Sequence, residues 1–259
     1  MSVTTAPNIG IPILYSRDLT ELGILSPVCW DMITHPHLLI VGSTGSGKTY
    51  AERLIIGKVC KYLPDAELAI CDFKNEDFRN FDGLSRHFGY EDCIVGLNEF
   101  YKVFQLRLNG EDETRTPRIL LFDEWGAFVT SRDKKEADEV KKKLSTLLML
   151  GRSYRTHVVI GLQRADSEHF KAGARDNFSS ILALGNLSKE QRQMLFSDYK
   201  DEMVSDCGRG SGYLLRDGKG VKRVVVPEVR NIDLLNLAIA EGLTRNALSI
   251  NTKASDCNI

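Results

Sequence analysis

The feature that most restricts this chain is Gly42-Ser43-Thr44-Gly45-Ser46-Gly47-Lys48-Thr49, which follows the apolar run Leu38–Val41. It is a complete G-x-x-x-x-G-K-[ST], flanked by a strand-like run and a helix-like segment, the context the motif requires. Its glycines let the backbone curl so that successive N–H groups face a phosphate. The helix opening at Lys48 adds the positive end of its dipole. Lys48 is expected to neutralise β- and γ-phosphate oxygens, and the Thr49 hydroxyl to sit on Mg²⁺. Gly42 through Thr49 are therefore the expected nucleotide-binding residues, with ATP and Mg²⁺ as ligands.

Apolar runs recur along the chain at 38–41, 68–71, 119–122, 158–160 and 181–184. Short continuous runs of this kind suit strands buried on both faces, as in a parallel sheet. Helical segments are expected at 48–63, 98–108 and 134–150. In the last, Ala137, Val140, Leu144, Leu147 and Leu148 share one face. Asp138–Lys142 and Glu139–Lys143 are expected as i,i+4 pairs on the other, so the run Lys141–Lys143 reads as a solvated helix face before it reads as a DNA contact. The alternation predicts an α/β fold: a RecA-like P-loop NTPase whose mainly parallel central sheet is flanked by helices. The stretch around Asp217–Gly220 predicts a C-terminal β-hairpin, and a helix is expected at 232–241. The expected organisation is a lead-in at 1–34 that wraps the domain, an ATPase domain at 35–230, and a helix with a loose tail at 231–259.

A P-loop needs a second acid for the metal. Four apolar residues, Ile119–Phe122, lead into Asp123 and Glu124. Asp123 is expected to hold Mg²⁺ through a water. Glu124 is placed to polarise the attacking water. An acid directly after Asp123, and no N-K-x-D, favour ATP hydrolysis over a GTPase switch. Gln163, after the run at 158–160, is positioned to sense the γ-phosphate. Arg152, before that run, stands at the strand's far end. In a ring it could reach a neighbour's γ-phosphate as an arginine finger; equally it could cap the helix ending at Leu150. Arg155 and Arg175 are the reserve candidates.

Lys+Arg is 34 and Asp+Glu 35, a formal net charge of -1, which argues against a general basic coat. Any DNA contact must come from local loops, for which 131–135 and 164–175 are the candidates, with Arg132, Lys134, Lys171 and Arg175 as backbone binders. No apolar run approaches the roughly 18 residues that span a bilayer, and the N-terminus has no signal-peptide pattern. The cysteines Cys29, Cys60, Cys71, Cys93, Cys207 and Cys257 form no C-x-x-C and read as free thiols of a cytoplasmic protein. The histidines show no metal spacing.

Several segments together resemble the FtsK/SpoIIIE branch of the FtsK–HerA P-loop ATPases. They are HPHLLIVGSTGSGKT, CDFK with Asp72 and Lys74, LLFDEW, LGRSYRTHVVIGLQR and GRGSGYLLRDG. The resemblance covers roughly residues 10–227. It implies a RecA-like motor that assembles as a hexameric ring and threads double-stranded DNA by ATP hydrolysis. It leaves Asp72 and Lys74 either at an interface or around the nucleotide. The chain departs from the pattern at Ala165, where the family often has proline, and in lacking membrane helices and a C-terminal DNA-reading domain. A compact motor of a mobile element, plasmid or phage is the expectation. The competing expectation is a coupling or adaptor ATPase that docks a replication, relaxase or capsid protein without moving DNA. A nucleotide-binding structural protein with a dead site fits poorly with intact Lys48, Asp123 and Glu124.

Overall fold

The computed structural model describes residues 10–246. In chain order the elements are β1 (Ile11–Ser16), α1 (Arg17–Glu21), β2 (Pro27–Trp30), β3 (His37–Gly42), α2 (Lys48–Tyr62), β4 (Glu67–Asp72), β5 (His87–Gly89) and α3 (Cys93–Leu108). They continue with β6 (Arg118–Asp123), α4 (Trp125–Thr130), α5 (Lys134–Leu150), β7 (Thr156–Leu162), β8 (Ser180–Leu184), α6 (Lys189–Leu195), β9 (Ser211–Arg216), β10 (Gly220–Val225) and α7 (Ile232–Thr244).

All ten strands form one sheet in the order β2-β1-β10-β9-β8-β3-β7-β6-β4-β5. The six strands from β8 to β5 are parallel; five of them lie at the predicted apolar runs, and the short β5 adds an edge strand the sequence reading did not anticipate. The other four add on antiparallel, with β9 and β10 as the expected hairpin. Every residue of β3, β7 and β8 is buried. Strand periodicity sends alternate side chains to opposite faces, which is why these runs had to be apolar throughout. Leu38 and Ile40 point into one core with α2 and α7, whereas Leu39 and Val41 point into the other with α3, α4 and α5. The first core is tight because two glycines face it. A Cβ on Gly57 would meet Leu235 Cδ1 at 2.3 Å, and one on Gly242 would meet Cys60 Sγ at 2.5 Å. These close approaches let α2 and α7 pack side by side.

Helix α5 spans Lys134–Leu150 as its periodicity predicts, and Asp133 caps it by accepting from Glu136 N. Its surface pairing differs from expectation: Lys141 joins Asp138 at i,i+3 and Lys143 reaches Asn98 on α3. Helix α3 starts at Cys93, earlier than the apolar spacing suggested, because its first turn packs Cys93 and Leu97 against the sheet. Within the lead-in, residues 11–30 supply β1 and β2, which continue the sheet past β10. That extension was not visible locally, since a proline-bearing edge strand carries a weak signal. Cys29, Cys60, Cys71, Cys93 and Cys207 are free thiols, as expected; Cys257 lies outside the described residues. No helix among them is long and apolar enough to cross a membrane.

Candidate active site

Because β3, β6 and β7 are parallel, their C-terminal ends open on one pole of the sheet, and β7 lies between the other two. β3 delivers the loop 43–47, β6 ends in Asp123, and β7 is followed by Gln163. The loop turns into α2 at Gly47, whose φ of 94° is left-handed. A side chain there would be strained and would also press on Gly210.

Lys48, the first residue of α2, points into a buried nest of acids. Its Nζ lies 2.5 Å from Asp123 Oδ1, 3.3 Å from Glu124 Oε1 and 3.5 Å from Glu52 Oε1. Burial alone would weaken its charge. The fields of Glu52, Asp123 and Glu124 override that and hold the ammonium well above the usual lysine range.

Glu124 is buried and sits at φ 57°, ψ 40°, a left-handed position for a side-chain-bearing residue. Such a conformation costs on the order of 1–3 kcal/mol and tends to occur where geometry is needed for function. The turn aims its carboxylate at three partners: Lys48, Lys74 Nζ at 2.7 Å and Gln163 Nε2 at 3.3 Å. Burial pushes its pKa up, but the charge of Lys48, then the bond and charge of Lys74 and the bond from Gln163, hold it below the usual carboxylate range. It is therefore an ionised acceptor, ready to take a hydrogen bond from a water.

The segment after β4 completes the wall. Buried Asp72 accepts from the backbone of Asn75 at 3.1 Å and of Phe78 at 2.9 Å, folding the turn that presents Lys74 to Glu124. Asp72 thus shapes the loop, and Lys74 stands beside the P-loop, paired with Glu124. The Thr49 hydroxyl donates to Asp77 at 3.3 Å.

These residues frame a cavity of about 350 Å³, lined among others by Thr44, Lys48, Lys74, Glu124, Gln163 and Arg209. That is the size range of small-molecule sites. Asp123 Oδ2 and Ser46 Oγ are buried beside it without a hydrogen-bond partner. Orphaned polar atoms are costly unless something supplies their partners. A phosphate chain with a hydrated divalent cation would do so, and the donor set of Thr49 and Asp123 suits Mg²⁺, so the residues fit both ligands. A slightly larger cavity, about 390 Å³, lies between α3 and the N-terminal half of β4. It shares no residue with the P-loop, and the chemistry locates the site at the smaller one.

The remaining candidates scatter. Arg152 is exposed in the short turn after α5, at the pole opposite the P-loop. Arg155 lies at that pole too, its backbone carbonyl accepting from Arg118 N. Arg175 is on the P-loop side of β7, its guanidinium held by Ala165 O at 3.0 Å. Arg132 is tied to Glu91 at 2.6 Å and lies over the Phe128 ring. Lys134 and Lys171 are exposed.

Glu52 escaped the sequence reading. It is fully buried, one helical turn beyond Lys48, and both of its oxygens lack hydrogen-bond partners. Burial, then the charge of Asp123, push its carboxyl well above the usual range, with Lys48 opposing. The i,i+4 spacing from Lys48 was the available signal. Tyr50, Asp77 and Arg209 were missed as well; only the fold brings the last two to the cavity.

Comparison with known proteins gives the family and the fold. The FtsK/SpoIIIE family model matches residues 17–169. The Ftsk domain-containing protein YdcQ of Bacillus subtilis is 32% identical over 208 residues, covering 74% of this chain and 43% of YdcQ. A DNA translocase FtsK of Bradyrhizobium diazoefficiens is 22% identical, covering 78% of this chain and 30% of the relative. The chain thus spans less than half the length of either. Among solved structures, the pCW3 conjugation coupling protein TcpA, determined with ATPγS, superposes with a TM-score of 0.66 at 18% identity, over 87% of this chain and 68% of TcpA. A sheet that brings a phosphate loop, Asp123, Glu124 and Gln163 to one pole, together with a family match over more than half its length, identifies this chain as a P-loop ATPase of the FtsK/SpoIIIE family.

Proposed function

We propose that the chain is the motor domain of an ATP-driven double-stranded DNA translocase, working in the cytoplasm as a homo-hexameric ring in DNA transfer, segregation or packaging. The observation that carries this is the division of cations between the two poles of the sheet. Lys48 and Lys74 gather with Glu124 and Gln163 at the P-loop pole, while Arg152 stands exposed at the other. A site with an ionised water-polarising acid and no arginine finger of its own from Arg152 calls for a neighbour to supply one.

In this reading the main-chain N–H groups of 43–48 and the start of α2 hold the phosphates, and Lys48 leaves its acid nest to neutralise them. Thr49 and Asp123 would hold Mg²⁺, which when bound would supply positive charge to the phosphates. Glu124, kept ionised by Lys48 and Lys74, accepts a proton from the attacking water. Gln163 bonds Glu124, so it couples the state of that acid to the loop 163–179. Arg152 of an adjacent copy stabilises the charge that spreads during transfer.

The test is ATP turnover by the purified chain at low salt, with and without long linear duplex DNA and with Lys48→Ala as control. Stimulation by duplex that Lys48→Ala abolishes supports the motor. A rate indifferent to duplex at every salt concentration sinks it, since phosphate contacts strengthen steeply as salt falls.

A second reading has its own observation. Of the four cations expected to meet DNA, Arg132 and Arg175 are engaged within the chain. That favours a coupling ATPase, and TcpA, a conjugation coupling protein, shares the fold. Such a protein would dock a replication, conjugation or packaging partner and be stimulated by it. Displacement of a DNA-bound roadblock by the purified chain would reject this alternative.

A further inference from the structure

The loop Cys207–Ser211 is fastened to the phosphate loop through main chain. Gly210 N donates to Ser46 O at 2.8 Å, Val226 N to Gly210 O at 2.7 Å and Gly185 N to Ser211 O at 2.8 Å. Cys207 N donates to Asn186 Oδ1 at 3.0 Å. On the outer side Asp206 is held by Arg17 at 3.3 Å and Arg223 at 3.5 Å. Gly47 approaches Gly210 so closely that a Cβ would stand 3.1 Å from Gly210 N. The loop is thus a fixed support, and it places Arg209 in the wall of the nucleotide cavity.

Three cations line that cavity: Lys48, Lys74 and Arg209. Lys48 is neutralised by Asp123, and Lys74 by Glu124. The Arg209 guanidinium has no ion pair or side-chain hydrogen bond among the described residues. Sheet order fixes the side from which it comes. β7 and β6, with Gln163 and Glu124, flank β3 on one side; β8 and β9, which bracket the Arg209 loop, flank it on the other. Arg209 therefore lines the cavity from the side of the P-loop opposite Glu124.

We infer that Arg209 is a phosphate-binding residue acting within its own subunit, gripping the phosphate chain from the side of the P-loop opposite Glu124; this rests on the ATPase reading above. A cation left unpaired next to an anion site gains a charge-assisted bond when the ligand arrives. Lys48 must leave its acids to bind phosphate, whereas Arg209 gives up only water.

The experiment is calorimetric titration of the purified chain with ADP and with pyrophosphate, for wild type, Arg209→Ala and Arg209→Lys. Arg209→Ala is expected to weaken both ligands about tenfold, the equivalent of about 1.4 kcal/mol, with Arg209→Lys recovering part. In turnover assays the KM for ATP rises by a similar factor, and kcat stays within about twofold. The ligand-free melting temperature stays within about 2 °C of wild type, because the loop is held by main-chain bonds. Unchanged affinity for both ligands overturns the inference. So does a loss confined to ADP, which would mean that Arg209 touches the base or sugar. If folded wild type binds neither ligand, the ATPase reading fails first and this falls with it.

Discussion

Gly161 offers a sharp test of how the acid nest is built. It lies in the middle of β7, fully buried, beneath Glu52 and Asp123. A Cβ there would stand 2.1 Å from Glu52 Oε1 and 2.8 Å from Asp123 Oδ1. Ordinary van der Waals contact needs about 3.4 Å or more, so Glu52 would have to retreat by more than an ångström. It has little room, being fully buried with Lys48 and Asp123 around it. Overpacking of this kind costs about 1–3 kcal/mol. For a domain of this size each kcal/mol lowers the melting temperature by roughly 2–4 °C. Gly161→Ala is therefore expected to melt about 2–12 °C lower and, by displacing Asp123, to lose ATP turnover at least tenfold. Truncating the obstacle isolates the contact. In a Glu52→Ser background the added methyl group should cost at least 1 kcal/mol less, measured as a double-mutant cycle by chemical denaturation. The Asp123 contact keeps the relief partial. If the two substitutions add within about 0.5 kcal/mol, as independent sites do, the buried acid is not what makes glycine necessary and the reasoning is wrong.

Three further predictions follow from the same geometry. Buried His37 and His157 are lowered from 6.5 to about 3 and about 4, in each case chiefly by burial. A histidine lowered on folding takes up its proton more readily when unfolded, so stability is intact above pH 6.5 and is lost as pH falls toward those values. At pH 5 each contributes a loss of about 2 kcal/mol; denaturation at pH 7.5 and 5 should show it, and His157→Gln should remove about half. Arg152→Ala and Glu124→Gln, each inactive alone, should on mixing recover about a quarter of wild-type turnover if the arginine acts across a subunit boundary, since about one site in four then pairs an intact acid with an intact neighbour. No recovery would return Arg152 to the role of helix cap. Gln163→Ala should lower kcat at least tenfold with KM for ATP within about twofold, because its partner is Glu124, the proposed water-polarising acid, and not the nucleotide-binding loop; a rise in KM alone would contradict that.

Much of the site was legible because it is local. The P-loop is eight consecutive residues whose glycines, lysine and threonine each answer one requirement of phosphate and Mg²⁺. Runs such as Leu38–Val41 announce strands covered on both faces, and the three-four spacing from Ala137 to Leu148 sets out α5 between its own bounds. Asp123 and Glu124 declare themselves by following such a run directly.

What the sequence could not give was the relation between strands. Nothing near Gln163 indicates that β7 inserts between β3 and β6, yet that insertion is what brings it to Glu124. Lys74 was recognisable only as part of CDFK; the bonds from Asn75 and Phe78 to Asp72 aim it at the acid. Arg209 is more than 150 positions from the loop it serves, and the strands β1 and β2 join the sheet by pairing with β10, near the far end of the chain. Periodicity and short motifs are set by neighbours within a few residues and can be read in order. Strand order, the burial of Glu52 and the docking of one loop on another are decided by which distant surfaces exclude water together, and only the folded chain resolves that choice.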